Sequence, residues 1–368
     1  MTLISGSPSP DQAGATLKVD LAALAQNWRS LAKRAGAAEC SAVVKADAYG
    51  VGLEPAARAL LKAGCRSFFV AHVFEAVALR GVAPEATIYV LNGLVPGTVP
   101  LYVAHRLTPV LGSLPEFKEW IEAGKGMSVA IMLDTGLNRL GLEAYELNEA
   151  SPLLAALNID LVLSHFASSE DAKDPTNAAQ IAAFNALRAQ VPQARASLAN
   201  SSGIYLGKEA LFDLVRPGYA LYGGNPTPGL KNPMRSVVAL HARVVQTRRV
   251  EAGERAGYNG QWTAPSPRLL ATISLGYADG LLRAARGTAA HQGGEAIVNG
   301  VRCPFVGRVS MDLTILDVTD AGAVARGDGV EILGPHISVD DLGARADTIG
   351  YEILTGLGRR YARVYTGG

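Results

Sequence analysis

Between about residues 40 and 224, short apolar runs alternate with stretches whose apolar residues recur at helical spacing, and loops containing Gly, Asp or Asn separate them. Alternation of this kind marks repeated βα units. It predicts strands at 41–45, 67–71, 87–91, 108–111, 128–133, 161–164, 195–198 and 213–215. Helical spacing is clearest at 55–63, 116–122 and 178–190, the last following the start signal Asp174-Pro175. A series of parallel strands this long points to α/β architecture with a closed (β/α)8 TIM-type barrel, although an open doubly wound sheet would show the same alternation. After Gly224 the period changes to two at 239–250, 269–275, 296–299 and 314–318, which predicts a β-rich second domain. The segment 16–19 alternates in the same way and is expected to join that second domain. The organisation read from these patterns is a flexible tail at 1–15, a barrel domain at 16–235 and a β domain at 236–368.

Composition narrows the partners. The chain has 368 residues, 49% of them hydrophobic, which is enough for about two domains. Lys plus Arg (34) nearly equals Asp plus Glu (33), so no net field draws the protein to nucleic acid or to an anionic membrane. Small molecules and a second copy of the chain are the expected partners. Cys40, Cys65 and Cys303 are odd in number, far apart and set in apolar surroundings, as reduced core thiols are. That favours the cytoplasm, without disulfides or a metal site. Met1 to Gly14 has neither a basic start nor an apolar core, so it does not read as a signal peptide or membrane span.

Chemistry concentrates first in Cys40-Ser41-Ala42-Val43-Val44-Lys45-Ala46-Asp47-Ala48-Tyr49-Gly50-Val51-Gly52. This run reads as a buried strand that ends on a lysine at the lip of a pocket. Desolvation there penalises the ammonium and frees the amine to form a Schiff base with an aldehyde. Tyr49, in a Gly-bracketed loop, could hydrogen-bond a phosphate. The pair suggests a pyridoxal-phosphate site; a solvated lysine just past a strand is the plain alternative. In a barrel, chemistry gathers at the C-terminal ends of the strands. Lys45, Arg139, His165, Asn200 and Arg216 all lie at or just beyond predicted strand ends.

Further motifs follow in order: Leu133-Asp134-Thr135-Gly136 with Arg139, Ser164-His165-Phe166-Ala167, Ala199-Asn200-Ser201, Arg216-Pro217-Gly218-Tyr219-Ala220-Leu221-Tyr222-Gly223, Leu275-Gly276-Tyr277-Ala278-Asp279-Gly280, Gly307-Arg308-Val309-Ser310-Met311-Asp312, and Gly350-Tyr351-Glu352. Together with the Lys45 segment this series resembles the alanine racemase family, from about Thr16 to Tyr365. The resemblance implies that Lys45 holds pyridoxal 5'-phosphate covalently and is one of two acid/base groups, with Tyr277 on the opposite face of the substrate. Racemisation needs that opposition, because the Cα proton leaves one face and returns to the other. Arg216 would face the pyridine nitrogen, where most enzymes using this cofactor place a carboxylate; a guanidinium does not readily release a proton, so the nitrogen stays unprotonated.

The resemblance also gives the phosphate to Tyr49, Ser201, Tyr351 and the backbone amides of Gly218 and Tyr219. His165 and Asn200 would orient Arg216 and the ring, and Arg139 would reach the cofactor's phenolic oxygen and the substrate carboxylate. Met311 would offer its amide to that carboxylate, and Asp312 would bound a small substrate pocket. Because Tyr277, Met311 and Asp312 fall in the second domain, the family's head-to-tail homodimer with shared sites is implied. Three positions depart from the family: Met132 stands where many members carry a lysine, often carbamylated; Asn138 replaces a common glycine; and Ser310 stands where cysteine is frequent. The activity implied is interconversion of L- and D-alanine, supplying D-alanine for peptidoglycan. Rival readings are a racemase of serine, lysine or a broader range, a non-catalytic carrier of the cofactor, which would lack the second domain and Tyr277, and a related decarboxylase, whose catalytic cysteine Ser310 and Cys303 do not match.

Overall fold

A computed structural model of the chain describes residues 8–288 and 290–368. Contacts divide it into two units, one made of Leu24–Ala48 with Gly52–Arg235, the other of the segment through Ala23, Tyr49–Val51 and Ser236–Gly368.

The first unit is built on parallel strands. Ala42–Val43, Ser67–Val70, Thr87–Val90, Thr108–Leu111, Ser128–Met132, Asn158–Leu163 and Arg195–Ser197 form one sheet in chain order. Leu214–Val215 pairs in parallel with Glu39–Cys40. Ser41 N donates to Val215 O and Val43 N to Pro217 O, while on the other edge Asp213 N donates to Ala196 O and Arg216 N to Ala199 O. Residues 39–43 therefore act as one stave interrupted at Ser41, and the hydrogen bonding runs right round a (β/α)8 barrel. A break at Ser41 and an end at Val43 replace the continuous strand expected at 41–45; the Ser41 hydroxyl donates to Val215 O at 2.8 Å. Ser67–Val70 and Thr108–Leu111 are buried at every position, so strands covered on both faces read as unbroken apolar runs. At the N-terminal ends of the staves Arg195 bridges Glu39 (2.6 Å) and Asp160 (3.0 Å), and the Tyr89 hydroxyl donates to Asp160. That end of a barrel serves stability; the opposite end carries the chemistry.

The second unit is an antiparallel barrel closed by one long strand. Val238–Val250 pairs through 240–243 with Gly329–Leu333, then, across a bulge between Val244 and Gln246, pairs through 244–250 with Arg268–Ile273. Thr314–Asp317, Val301–Val306 and Glu295–Val298 complete the circuit. Ala15–Asp20 lies antiparallel to Val238–Val250 and carries Ala362–Thr366 in parallel on its outer edge. The expected tail at 1–15 falls partly outside the described residues, at 1–7. Within them Ala13 is buried, Gly14 O accepts Arg243 N, and Ala15 is already strand. Among the described residues no helix is long and apolar enough to cross a membrane.

Candidate active site

The barrel's first stave delivers Lys45 onto a left-handed turn. Ala46, Asp47, Ala48 and Tyr49 all have φ of 54°, and none is glycine. An L-residue in this region costs roughly 1–2 kcal/mol, so the turn survives only because its surroundings impose it. Asp47 Oδ1 accepts Leu53 N at 2.7 Å, and Ala48 N donates to Val44 O at 2.9 Å. Glu75, buried at the start of the helix Val73–Val82, accepts Ala46 N on one oxygen at 2.6 Å. Its other oxygen accepts Ala71 N at 2.8 Å and His72 N at 3.0 Å. Sequence reading did not single out Glu75, although an acidic residue three positions after a strand-to-helix junction is a capping-box signal. Burial, Arg139 and Arg216 lower the Lys45 pKa, and Glu75 opposes them.

Arg216 is 4% exposed. Its guanidinium donates to Ser197 Oγ and Ser164 O, both at 2.5 Å, and to Leu198 O at 3.4 Å, with His165 Nδ1 also at 3.4 Å. None of these partners is a carboxylate. Asp213, the nearest in sequence, accepts Ala196 N instead. Burial pushes the guanidinium down to about 9, which leaves it a cation at neutral pH. His165 is pushed down to about 3 by burial, then by Arg216, Arg139 and Lys45, so its imidazole is neutral and Nδ1 faces the guanidinium as an acceptor. Asn200 does not reach Arg216: its Oδ1 accepts Ser169 Oγ at 2.9 Å and Gly203 N at 2.8 Å, which shapes the loop after its strand. Ser201 Oγ accepts Gly218 N at 3.0 Å and Ala220 N at 3.2 Å, so a hydroxyl and a pair of amides converge there. The tight path of this segment needs Gly224, where a Cβ would come within 2.1 Å of the Tyr219 ring.

Arg139 rides on an excursion after the strand Ser128–Met132. Leu142 N donates to Met132 O and Asp134 N to Leu142 O, each at 3.0 Å, closing a neck. Asp134 Oδ1 accepts Gly136 N and Leu137 N, and Asn138 has φ of 54°. Met132 packs beneath the neck, where a Cβ on Gly141 would lie 2.8 Å from Met132 Cγ. Gln180, another residue not anticipated, is 1% exposed and ties the excursion to the His165 loop. Its amide donates to Thr135 Oγ1 (3.1 Å) and His165 O (3.0 Å) and accepts Ala167 N (2.8 Å).

In the β unit Tyr277, Met311 and Asp312 come together. Tyr277 N donates to Ser310 O at 3.0 Å and Ala278 N to Met311 O at 2.9 Å. The approach requires Gly276, since a Cβ there would sit 2.3 Å from Met311 O. Asp279 closes the turn Tyr277–Asp279 by accepting Gly276 N at 2.8 Å. Arg360 then spans two carboxylates, Asp279 at 3.1 Å and Asp312 at 2.8 Å. Burial raises the Asp279 pKa, opposed by the Gly276 amide and Arg360. Tyr277 is 41% exposed and Met311 54%. In the same unit the rings of Tyr49 and Tyr351 lie 6.3 Å apart, tilted by 43°. Burial raises the Tyr49 pKa, which keeps its phenol a hydrogen-bond donor.

Comparison with known proteins agrees with this geometry on both units. The family model for the alanine racemase N-terminal domain matches residues 19–226, and that for the alanine racemase C-terminal domain matches 237–365. The chain belongs to the alanine racemase family. It is 55% identical over 363 residues to an alanine racemase of Methylobacterium nodulans, covering 96% of this chain and 97% of that one. It is 47% identical to a catabolic alanine racemase of Mesorhizobium japonicum, covering 99% and 97%. The crystal structure of alanine racemase from Bartonella henselae, with covalently bound pyridoxal phosphate, superposes with a TM-score of 0.91 at 40% identity, covering 96% of this chain and 99% of that one. Alanine racemases are isomerases, and the two-domain architecture of the family is the one described above.

Proposed function

We propose that this alanine racemase family member interconverts L- and D-alanine with pyridoxal 5'-phosphate held covalently at Lys45. The observation that carries the reading is the company kept by Arg216: a buried guanidinium bound to a hydroxyl, carbonyls and a neutral histidine, with a lysine amine of lowered pKa nearby. These residues fit the cofactor. Ser201 with the amides of Gly218 and Tyr219, together with Tyr49 and Tyr351, would hold its phosphate; Arg216 would meet its ring nitrogen and Arg139 its phenolic oxygen. Bound there, the cofactor supplies an aldehyde for an amine and a ring that draws electrons from the substrate Cα.

The chain's own groups do the rest. Lys45, desolvated and flanked by cations, is poised to give and take the Cα proton on one face. Tyr277 serves the other. Arg216 does not readily hand a proton to the ring nitrogen, which limits side reactions such as transamination. Arg139 and the Met311 amide would bind the substrate carboxylate, and Asp312 would bound a pocket suited to a methyl side chain. The exposure of Tyr277 (41%), Met311 (54%) and Leu313 (40%) on one surface supports a homodimer in which each copy lends these residues to its partner's barrel.

The physiological role proposed is cytoplasmic supply of D-alanine for peptidoglycan. A second role, consumption of D-alanine as a nutrient, is favoured by the Mesorhizobium japonicum relative named catabolic. Cofactor-loaded protein incubated with L-alanine, L-serine or L-lysine in heavy water tests the activity through Cα deuteration and enantiomer formation. Conversion of alanine alone supports the reading, and faster turnover of serine or lysine changes the substrate. No exchange with any of them would leave a cofactor carrier. Deleting the coding sequence separates the roles, because only the biosynthetic one creates a requirement for D-alanine.

A further inference from the structure

We propose that Glu75 is a positioning residue for the reacting amine, its carboxylate clamping the left-handed turn that begins at Lys45 to the end of the neighbouring barrel stave. The inference rests on Lys45 being the reacting group.

Three observations carry it. First, the turn has little intrinsic reason to form, because Ala46, Asp47, Ala48 and Tyr49 take left-handed backbone angles in succession and only Asp47 is of a type that visits that region at all often. Ala46 N is the first amide after Lys45. By accepting it at 2.6 Å, Glu75 fixes the peptide plane that sets the direction in which the lysine leaves the chain. Second, the same carboxylate takes Ala71 N and His72 N, which follow the stave Ser67–Val70. That stave pairs with Ala42–Val43, the stave leading to Lys45, and Val44 N donates to Phe69 O at 2.8 Å. One buried carboxylate thus ties the ends of two adjacent staves. Capping the helix Val73–Val82 would need only the oxygen that serves His72; the oxygen on Ala46 has no part in a cap.

Third, the charge is in the right place. The groups whose charge acts on the Lys45 amine are the cations Arg139 and Arg216 and the carboxylate of Glu75, and His165, on which Lys45 acts in turn, is neutral. Burial disfavours the ammonium first, the two cations add to it, and Glu75 opposes them. The clamp therefore sets both where the amine points and how readily it carries a proton.

Two variants separate charge from reach. Glu75→Gln removes the charge and cannot accept three amides; Glu75→Asp keeps the charge but is one methylene too short to span both loops. In the full-length chain freed of small molecules, the pH dependence of Lys45 carbamylation by cyanate, read by peptide mass spectrometry, reports its proton affinity without cofactor or substrate. The expected result is a midpoint moved to lower pH in Glu75→Gln and retained in Glu75→Asp. In the loaded enzyme both variants should lose about tenfold or more in kcat with a smaller change in KM, a misplacement effect. A wild-type midpoint in Glu75→Gln together with unchanged kcat in Glu75→Asp would overturn the proposal, whatever the change in Tm. Wild-type protein that fails to exchange the alanine Cα proton would sink the proposed activity instead, and the carbamylation midpoints would still be read.

Discussion

Lys45 and Tyr277, assigned to opposite faces of one substrate, stand on turns of opposite character. The lysine turn is strained, left-handed and fastened by the buried carboxylate of Glu75 and the exposed one of Asp47, and its amine lies among cations that its own unit supplies. The tyrosine turn is an unstrained 3-10 turn, held by backbone bonds to Ser310 and Met311, and Tyr277 is 41% exposed. Among the described residues no hydrogen bond engages its phenol. The contrast separates a half-site whose electrostatics are complete from one that presents a reactive group and leaves its surroundings to be supplied.

The sharpest test removes each group in turn. Lys45→Ala should abolish alanine Cα exchange, by more than about 10³-fold, and remove the visible absorption of bound cofactor; a variant that keeps the band would place the cofactor elsewhere. Tyr277→Phe should slow exchange by about 10²–10⁴-fold from one enantiomer and far less from the other. Equal losses from both enantiomers, with the fold intact, would break the assignment of opposed faces. Mixing inactive Lys45→Ala and Tyr277→Ala chains should restore part of the activity if one copy completes the other's half-site, and no rescue under exchanging conditions would argue against sharing.

A smaller effect is expected where the tyrosine turn is braced. Arg360→Ala leaves Asp279 buried with only the Gly276 amide on its carboxylate and frees Asp312. A buried charge losing a partner costs about 1–3 kcal/mol. The folded Asp279 pKa is raised by burial, and without Arg360 it rises further. A raised carboxylate pKa favours folding below the unfolded value of about 3.9 and loses that contribution as pH climbs through the folded value. The Tm deficit of the variant should therefore be largest near pH 7 and shrink on acidification toward pH 4. A deficit that does not vary with pH would mean that the arginine acts through packing alone.

What the residues alone could show follows from the same contrast. Barrel strands buried on both faces read as apolar runs, and the strands of the β unit read through their alternation, so the two-domain fold was legible. Local rules could not show the break at Ser41, because its hydroxyl is satisfied by Val215 O from across the barrel closure. Nor could they show the left-handed turn at 46–49, since Asp47 alone among Ala-Asp-Ala-Tyr tolerates it well and the restraint on Ala46 comes from Glu75, 29 positions away. Asn200 reads as a neighbour of Arg216 yet spends its oxygen on its own loop, and the exchange of partners along Val238–Val250 hinges on a bulge that alternation does not announce. Local pattern identifies the elements; long-range polar ties, which leave little local trace, decide how their ends are aimed.

Met132 marks the limit of the lysine half-site's need for charge. Its side chain packs under the neck of the Arg139 excursion, and that neck is closed by backbone bonds between Met132, Asp134 and Leu142. Among the described residues no ion pair holds Arg139, so its place follows from the path of the loop. Met132→Leu, a volume-conserving change, should cost less than about 1.5 kcal/mol and leave kcat and KM for alanine within about twofold. Added bicarbonate should change neither, because no lysine stands there to be carbamylated. Loss of activity in Met132→Leu at unchanged Tm would show that the position orients Arg139 by more than its bulk. Stimulation by bicarbonate would place a carbamylated lysine elsewhere in the site, and the cations around Lys45 would then have a counter-charge besides Glu75.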